Sequence, residues 1–283
     1  KRKGIIAFTD GIKTVQDPQI MSRIMNFASQ SDSLIMQHAE DNILSKDGLV
    51  NEGEISTRLG LKGIPFLAEK IIVERDLAFL EEYFCRYHIS QISSEKTVDV
   101  IKRAKKEGKI FTTGVSINNL SLNENDIGDF KTFLKLSPPL RTENDRESLV
   151  QGINDGVIDV IVSDHKPEDE ESKRLTFAQA ATGASGVETL LSLTLELFHN
   201  KSVKLNQLIA SITSNPANIL GIDKGSLKKG YDADFCIFDI NKPWVINKNK
   251  LISKSKNTPI EDRKLQGQVL KTFIKGELAY ERI

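Results

Sequence analysis

The chain lacks several features that membrane-bound and nucleic-acid-binding proteins need. None of its apolar runs reaches the roughly 18 residues of a typical membrane-spanning helix. Its 39 lysine and arginine residues balance 39 aspartate and glutamate residues, so it has no overall positive charge to attract nucleic acid. The start of the chain has no apolar signal-peptide stretch. We therefore expect a cytoplasmic protein whose partners are neither membranes nor nucleic acids.

Cysteine is scarce, which excludes a disulfide framework and a CxxC zinc site. The two cysteines, Cys85 and Cys236, lie far apart in apolar, strand-like sequence ("EYFCRYHI" and "ADFCIFD"). We predict that both are small buried hydrophobic residues. The remaining composition, with 39% hydrophobic and 28% charged residues, is typical of a globular protein with a sizeable core.

Short apolar segments alternate with amphipathic segments through the first two thirds of the chain. This alternation predicts an α/β fold with a parallel sheet. Ser93 or Ser94 can cap the helix in "SEKTVDVIKRAKKEG", and in "TSNPANILGI" Asn215 before Pro216 predicts a helix start and Gly221 its end. The predicted strands are "GIIAFTD", "SLIMQHA", "YHISQIS", "KIFTTGV" and "VIDVIVS".

The sequence changes character from about Gly225 onward. Short strands with turn signals follow one another there ("ADFCIFD", "PWVINK" and "GQVLKTFIKGELAY"), which predicts a small β subdomain. We assign residues 1–222 to a (β/α) barrel and residues 223–283 to this subdomain, and we interpret the polar stretch "SKSKNTPIEDRKLQ" as a solvated loop. A whole (β/α)₈ barrel takes about 250 residues. Because five strand–helix units precede the subdomain, we expect an incomplete barrel.

Ionisable side chains follow several of the predicted strands. Asp10 follows "IIAFT", His38 follows "LIMQ", and Asp164 follows "VIDVIVS". The carboxyl ends of parallel strands face the active site in such folds. Imidazole and carboxylate are ligand types for a hydrolytic Zn²⁺. A single strand-end Asp or His is more often a cap or a loop hydrogen-bond partner, but their joint appearance favours a metal site.

Two further histidines have simpler interpretations. His88 lies three residues before Gln91 in "YHISQIS", so the two side chains point to opposite faces of a strand. We therefore expect His88 to make a hydrogen bond in the core. His199 lies at a helix end in "LELFHNKS", where an imidazole interacts favourably with the helix dipole.

Motifs along essentially all 283 positions resemble those of one enzyme family. They include "AFTDG", "QHAED", "YHISQIS", "KLSPPLR", "DVIVSDHKPED", "SKRLTFAQAATGASGVETLL" and "SKNTPIEDRKLQGQV". Together they resemble the class I dihydroorotases of the amidohydrolase superfamily, most of all the alphaproteobacterial type. The resemblance implies a (β/α)₈ TIM barrel, whose N-terminal part is missing from this chain, plus a small β-sandwich subdomain. It also implies reversible interconversion of N-carbamoyl-L-aspartate and dihydroorotate in pyrimidine biosynthesis.

The resemblance assigns roles to the strand-end residues. It implies that Asp10 bridges or supports the metals, that His38 is a zinc ligand, and that Asp164 is both the last metal ligand and the proton shuttle. One or two zinc ions are implied. We also expect a homo-oligomer.

The same resemblance places three residues at the substrate. These are Arg141 of "SPPLR" and the glycines Gly183 and Gly186 of "FAQAATGASG". Glycines let backbone amides approach a carboxylate substrate closely. For Arg141, a surface position after the Pro-Pro turn is an open alternative.

The chain departs from the family pattern at four places, one of which is Ser116 to Asn119, where "SINN" replaces the family's "TPHH". The first-strand His-x-His-x-Arg motif is not in this sequence. Gln91 stands where the family has a second histidine ligand, and a neutral amide oxygen is a weak zinc donor. Glu168 stands where the family has a substrate-side histidine, and its charge would repel a dicarboxylate.

These departures leave alternative functions open. Similar losses occur in non-catalytic dihydroorotase-like chains that assemble with aspartate carbamoyltransferase, and a hydrolase of another cyclic amide is a third hypothesis. Asp10, His38 and Asp164 favour an enzyme, because three unpaired ionisable groups in one cavity would be costly without a function.

Overall fold

The structure, a computed structural model, describes residues 4–282, so the outermost residues of the two predicted domains lie outside it. Strands and helices are interspersed through the first part of the chain, four helices then follow one another, and the last three strands come after them without an α-helix between them. The strands are β1 (Ala7–Phe8), β2 (Leu34–Gln37), β3 (Val50–Asn51), β4 (Gly63–Ile64), β5 (Arg86–Ile92), β6 (Thr112–Ser116), β7 (Val160–Val162), β8 (Phe235–Val245), β9 (Lys264–Ile274) and β10 (Glu277–Glu281). The helices are α1 (Pro18–Ser31), α2 (Glu54–Leu59), α3 (Leu67–Glu82), α4 (Glu95–Lys106), α5 (Ile117–Ser121), α6 (Glu143–Asn154), α7 (Glu170–Arg174), α8 (Leu190–His199), α9 (Leu205–Ile212) and α10 (Ser214–Leu220).

A parallel sheet in the order β1-β2-β5-β6-β7 forms the centre of the molecule. These five strands coincide with the five predicted segments, which confirms the predicted α/β class. The strands are rich in buried apolar residues such as Ile89, Val115 and Ile161, as expected where helices cover a parallel sheet. Parallel pairing brings all five carboxyl ends to one edge of the sheet.

The helices begin at capping residues that the sequence supplies. Asp17 caps α1 by accepting hydrogen bonds from the main-chain N–H groups of the next turn, and Ser94 caps α4 in the same way, as predicted. Gly221 ends α10 in the left-handed conformation, also as predicted. Within residues 4–282 none of the helices is long and apolar enough to cross a membrane.

The predicted start of α10 is wrong. The helix begins at Ser214, so Asn215 is inside it rather than before it. The Asn215 side chain instead donates a hydrogen bond to the main-chain oxygen of Asp159, 2.8 Å away, just before β7. A tertiary contact has therefore replaced the local capping interaction.

A small arm that the sequence did not reveal lies between β2 and α3. Its two strands, β3 and β4, form a parallel pair of two residues each, with α2 between them. Strands this short carry no apolar periodicity, and so pattern analysis cannot detect them. The arm lies beside the carboxyl edge of the central sheet, where it contributes to the site described below.

The last part of the chain forms an antiparallel sheet in the order β10-β9-β8. The predicted strands "ADFCIFD" and "PWVINK" are one irregular strand, β8, whereas "GQVLKTFIKGELAY" divides into β9 and β10. The sheet packs against α8, where the Ser192 hydroxyl donates to the Gly267 oxygen and accepts from the Trp244 indole. The proposed boundary between residues 222 and 223 stays a prediction.

Two predictions for this region are wrong. Cys85 is buried as predicted, but Cys236 is exposed, because it lies at the end of β8 that extends beyond the contact with α8 and is open to solvent. The stretch "SKSKNTPIEDRKLQ" is not a fully solvated loop, because Asn257 and Thr258 are buried within it. The Asn257 amide donates to the main-chain oxygens of Lys166 and Gly183 and so ties this loop to the carboxyl edge of the sheet.

His88 makes the core hydrogen bond that its strand position predicted. Its side chain is only 3% exposed, and Nδ1 lies 2.8 Å from the Thr112 hydroxyl on the neighbouring strand. Burial, with a smaller contribution from the charge of Lys105, lowers the pKa of His88 from its usual 6.5 to about 4. The imidazole is therefore neutral in the folded protein at neutral pH.

We predict that His88 makes the protein less stable in mild acid. As the pH falls from 6.5 towards 4, the unfolded chain binds a proton at His88 that the folded chain does not bind, so unfolding becomes easier. Between about pH 7 and about pH 5 the free energy of unfolding of the wild-type protein should fall. In His88→Gln it should fall by about 2 kcal/mol less. Urea titrations of both proteins at both pH values measure this, and equal losses would contradict the prediction.

Candidate active site

A cavity of about 400 Å³ opens at the carboxyl edge of the central parallel sheet. Its walls come from the segments that follow β1, β2, β6 and β7 and from the ends of β4 and β5. Its polar and glycine lining residues include Gly11, His38, Glu40, Gln91, Lys135, Asp164, Lys166, Thr182 and Gly183. Two residues predicted for the metal, His38 and Asp164, therefore meet in one cavity.

Asp164 is presented to the cavity by a strained backbone. It lies two residues after the end of β7 and adopts a left-handed conformation with φ of +48°, which non-glycine residues rarely do. The Gln91 amide donates to one carboxylate oxygen at 3.1 Å, and the Ser116 hydroxyl donates to the other at 3.4 Å. Burial raises the pKa of the Asp164 carboxyl, although these two hydrogen bonds and the charge of His38 act to lower it.

His38 directly follows β2 and lines the same cavity as Asp164. Its side chain is buried, and its main-chain oxygen accepts a hydrogen bond from the Thr14 hydroxyl at 2.7 Å. Nε2 of His38 is 3.9 Å from a carboxylate oxygen of Glu40. Burial acts to raise the pKa of Glu40, but the nearby His38, the Ser45 side chain and the charge of Arg141 together hold that pKa below its usual value.

The residues that meet here do not by themselves complete a zinc site. A hydrolytic zinc takes about three protein ligands, and His38 and Asp164 are two donors of suitable type. Asp10 is exposed and does not line the cavity, although its neighbours Gly11 and Ile12 do. Gln91 uses its amide N–H to bind Asp164. In the part of the chain that the structure describes, no group of three or more His, Cys, Asp or Glu side chains is arranged to hold a metal ion.

The two glycines predicted at the substrate lie on one loop. Gly183 lines the cavity with φ of +143°, and a side chain there would come within 2.8 Å of the Lys166 side chain. Gly186 lies further from the cavity, where a Cβ atom would be 2.3 Å from the main-chain oxygen of Ser163. Both positions therefore require glycine, because the loop passes close to the segment that carries Asp164.

Arg141 is not the surface residue that the open alternative describes. Its side chain is only 4% exposed and does not line the cavity. The guanidinium donates to the Ser93 hydroxyl and to the Asn51 amide oxygen, each at 2.7 Å, and to the Ile64 main-chain oxygen at 3.2 Å. Arg141 thus joins β3 and β4 to the segment that follows β5.

Two lysines at the cavity were missed by sequence reasoning. Lys135 opens the "KLSPPLR" motif, and Lys166 lies inside "SDHKPED", so both were within segments already singled out. Lys166 also lies 3.8 Å from Glu168, which does not line the cavity. From the sequence we expected the charge of Glu168 to repel a dicarboxylate substrate. The positive charge of Lys166 reduces that repulsion.

Comparison with known proteins defines the class to which this fold and site belong. The chain belongs to the amidohydrolase family, whose model matches residues 4–279. It is 42% identical over its whole length to a dihydroorotase of Ehrlichia canis and 41% identical over 99% of its length to one of Anaplasma phagocytophilum. It spans 64% and 63% of the lengths of these two relatives.

Solved structures show the same fold. The chain superimposes on an L-hydantoinase (dihydropyrimidinase) from Arthrobacter aurescens with a TM-score of 0.86 at 24% identity, covering 99% of this chain and 66% of that one. A dihydropyrimidinase from Brevibacillus agri gives a TM-score of 0.87 at 20% identity, covering 99% and 65%. The central parallel sheet is therefore part of a TIM barrel of the amidohydrolase type.

We predict that Arg141 stabilises the fold. Replacing it by methionine keeps the aliphatic stem but removes the guanidinium that donates to three buried acceptors, which should lower the free energy of unfolding by about 3 kcal/mol. Arg174 is the matched control, because it forms exposed ion pairs with Glu170 and Glu171 in α7, and its loss should cost less than about 1 kcal/mol. Urea denaturation of both variants measures the difference, and equal small losses would contradict the structural role.

Proposed function

We propose that this chain belongs to a cyclic amidohydrolase of the dihydroorotase type, which interconverts N-carbamoyl-L-aspartate and dihydroorotate in pyrimidine biosynthesis. The observation that carries the proposal is that Asp164 and His38 line the same cavity. Identities of 37–42% to dihydroorotases along the whole chain support the choice of substrate. A cavity of about 400 Å³ also suits a small molecule of this size.

The chemistry that we assign to Asp164 is proton transfer. In ring opening, water adds to the amide carbonyl carbon of dihydroorotate, the ring C–N bond breaks, and the leaving nitrogen gains a proton. A carboxylate beside the attacking water takes its proton and then returns it to that nitrogen. The bonds from Gln91 and Ser116 hold the carboxylate in one orientation for both transfers. In the reverse direction Asp164 removes the proton from the carbamoyl nitrogen.

Zinc is the cofactor typical of this family, and we retain one or two ions as part of the proposal. His38 and Asp164 are the donors that this cavity offers, with Asp10 as the third residue predicted for the metal. The described residues bring only two such donors into the cavity, which is fewer than a hydrolytic zinc takes. We therefore assign no step of the reaction to a metal. Arg141, Gly183 and Gly186 remain predicted substrate residues, of which Gly183 lines the cavity.

A non-catalytic subunit that assembles with aspartate carbamoyltransferase is the second candidate. The observation that favours it is Gln91, which occupies the position of a histidine ligand and hydrogen-bonds to Asp164. Homo-oligomerisation and a cytoplasmic location stay predictions under either function.

We predict that turnover depends on Asp164 and His38. Asp164→Asn has the same shape but accepts no proton, and it should lower the rate of N-carbamoyl-L-aspartate cyclisation by about 10³-fold or more. His38→Ala should also cause a large loss. The control is His199→Ala, because His199 lies at the end of α8 and its Nε2 contacts the Ile240 main-chain oxygen instead of the cavity. Equal losses in all three variants would contradict the assignment.

Zinc content and turnover together separate the two candidates. The protein as its gene encodes it should catalyse the cyclisation if our proposal holds. Purified protein with less than about 0.2 zinc per chain and no turnover would leave the non-catalytic subunit. Zinc is measured by plasma mass spectrometry and turnover by the appearance of dihydroorotate.

A further inference from the structure

Lys135 is buried at the cavity without a carboxylate as its hydrogen-bond partner. Its side chain is 7% exposed, and its ammonium group donates to the main-chain oxygens of Ala178 at 2.9 Å and Ala180 at 2.8 Å. Its main-chain oxygen accepts a hydrogen bond from the Gly183 N–H at 2.9 Å. The same residue therefore binds the segment 178–183 at both of its ends.

Lys173 binds the same segment from α7. Its side chain is 1% exposed, and its ammonium group donates to the main-chain oxygens of Ala181 at 2.8 Å and Gly183 at 3.1 Å. Its own backbone is fixed as well, because the Thr132 hydroxyl donates to the Lys173 main-chain oxygen and the Ala181 N–H donates to the Ser172 oxygen. Four carbonyl groups of one short loop are thus held by two ammonium groups.

Burial of two lysines is costly and calls for an explanation. Desolvation lowers the pKa of Lys173 to about 8 and also lowers that of Lys135, which shows that burial disfavours both charges. Hydrogen bonds from an ammonium group are stronger than those between neutral groups and offset part of this cost. What the two lysines hold is the cavity wall, because Thr182 and Gly183 line the cavity.

We propose that Lys135 and Lys173 are positioning residues that fix the main chain of residues 178–183 as the cavity wall that receives the carboxylate end of the substrate. The part of this inference that concerns substrate rests on the proposed function. A wall fixed in advance receives an anion without loop ordering on binding. The positive charges of Lys135 and of the neighbouring Lys166, which both line the cavity, favour an anionic ligand at this wall.

Amide hydrogen exchange tests the positioning role without any catalysis. Lys135→Met and Lys173→Met keep the length of the side chain but remove the donors, and each should speed exchange in peptides covering residues 178–186 by about tenfold or more. Lys105→Met is the matched control, because Lys105 also binds a main-chain oxygen, that of Gly156, but does not line the cavity. Unchanged exchange of 178–186 in both cavity variants would overturn the proposal.

Kinetics tests the link to substrate. In Lys173→Met the KM for N-carbamoyl-L-aspartate should rise about tenfold while kcat falls less than about threefold, since the wall binds substrate but moves no proton. Faster exchange with an unchanged KM would overturn the substrate part of the inference. If the wild-type protein shows no turnover, the proposed function fails, and the exchange measurement still decides whether the lysines hold the wall. Should one variant not fold, the other decides, because the two lysines bind different carbonyl groups.

Discussion

Hydrogen bonds between the parallel strands β1, β2, β5, β6 and β7 orient every strand in one direction, so that the carboxyl ends of all five meet at the same edge. The cavity exists because of this arrangement. His38 and Asp164 are 126 positions apart in sequence. His38 directly follows β2 and Asp164 lies two residues after β7, so both are brought to the cavity at this edge. Helices such as α1, α5 and α9 pack against these strands, and the antiparallel sheet packs against α8. The proposed dihydroorotase activity depends on this edge.

Around the cavity, charged side chains are buried against polar groups of the main chain and against neutral side chains. Arg141 binds a serine, an asparagine and a carbonyl group, whereas Lys135 and Lys173 bind carbonyl groups alone. Such bonds fix irregular backbone that no helix or sheet ladder could hold. The loop that carries Gly183 is anchored in this way at four of its carbonyl groups. A rigid wall is what a site needs when it must hold a small ligand in one orientation.

Much of the architecture could be predicted from the sequence, and the errors have physical causes. The five central strands and the Ser94 cap were correct because apolar runs and capping residues act over a few neighbouring positions. The β3–β4 arm was missed because strands of two residues have no period. Asn215 was misplaced because its side chain bonds to Asp159 instead of to its own helix, and Cys236 because the end of β8 lies beyond the contact with α8. For the site, the sequence predicted that His38 and Asp164 would meet, but Asp10 is exposed outside the cavity lining, and Lys135 and Lys166 line it unforeseen.

The sequence by itself determined the fold class, the position of the central strands along the chain and the residues that follow them. These depend on local backbone preferences and on the spacing of apolar side chains. The tertiary structure decided which distant groups bind one another. Gln91 donates to Asp164 across 73 positions, and Arg141 donates to Asn51 across 90. Such pairs carry no local signal, because a hydrogen bond depends on distances and angles that exist only after the strands have paired and the loops have packed.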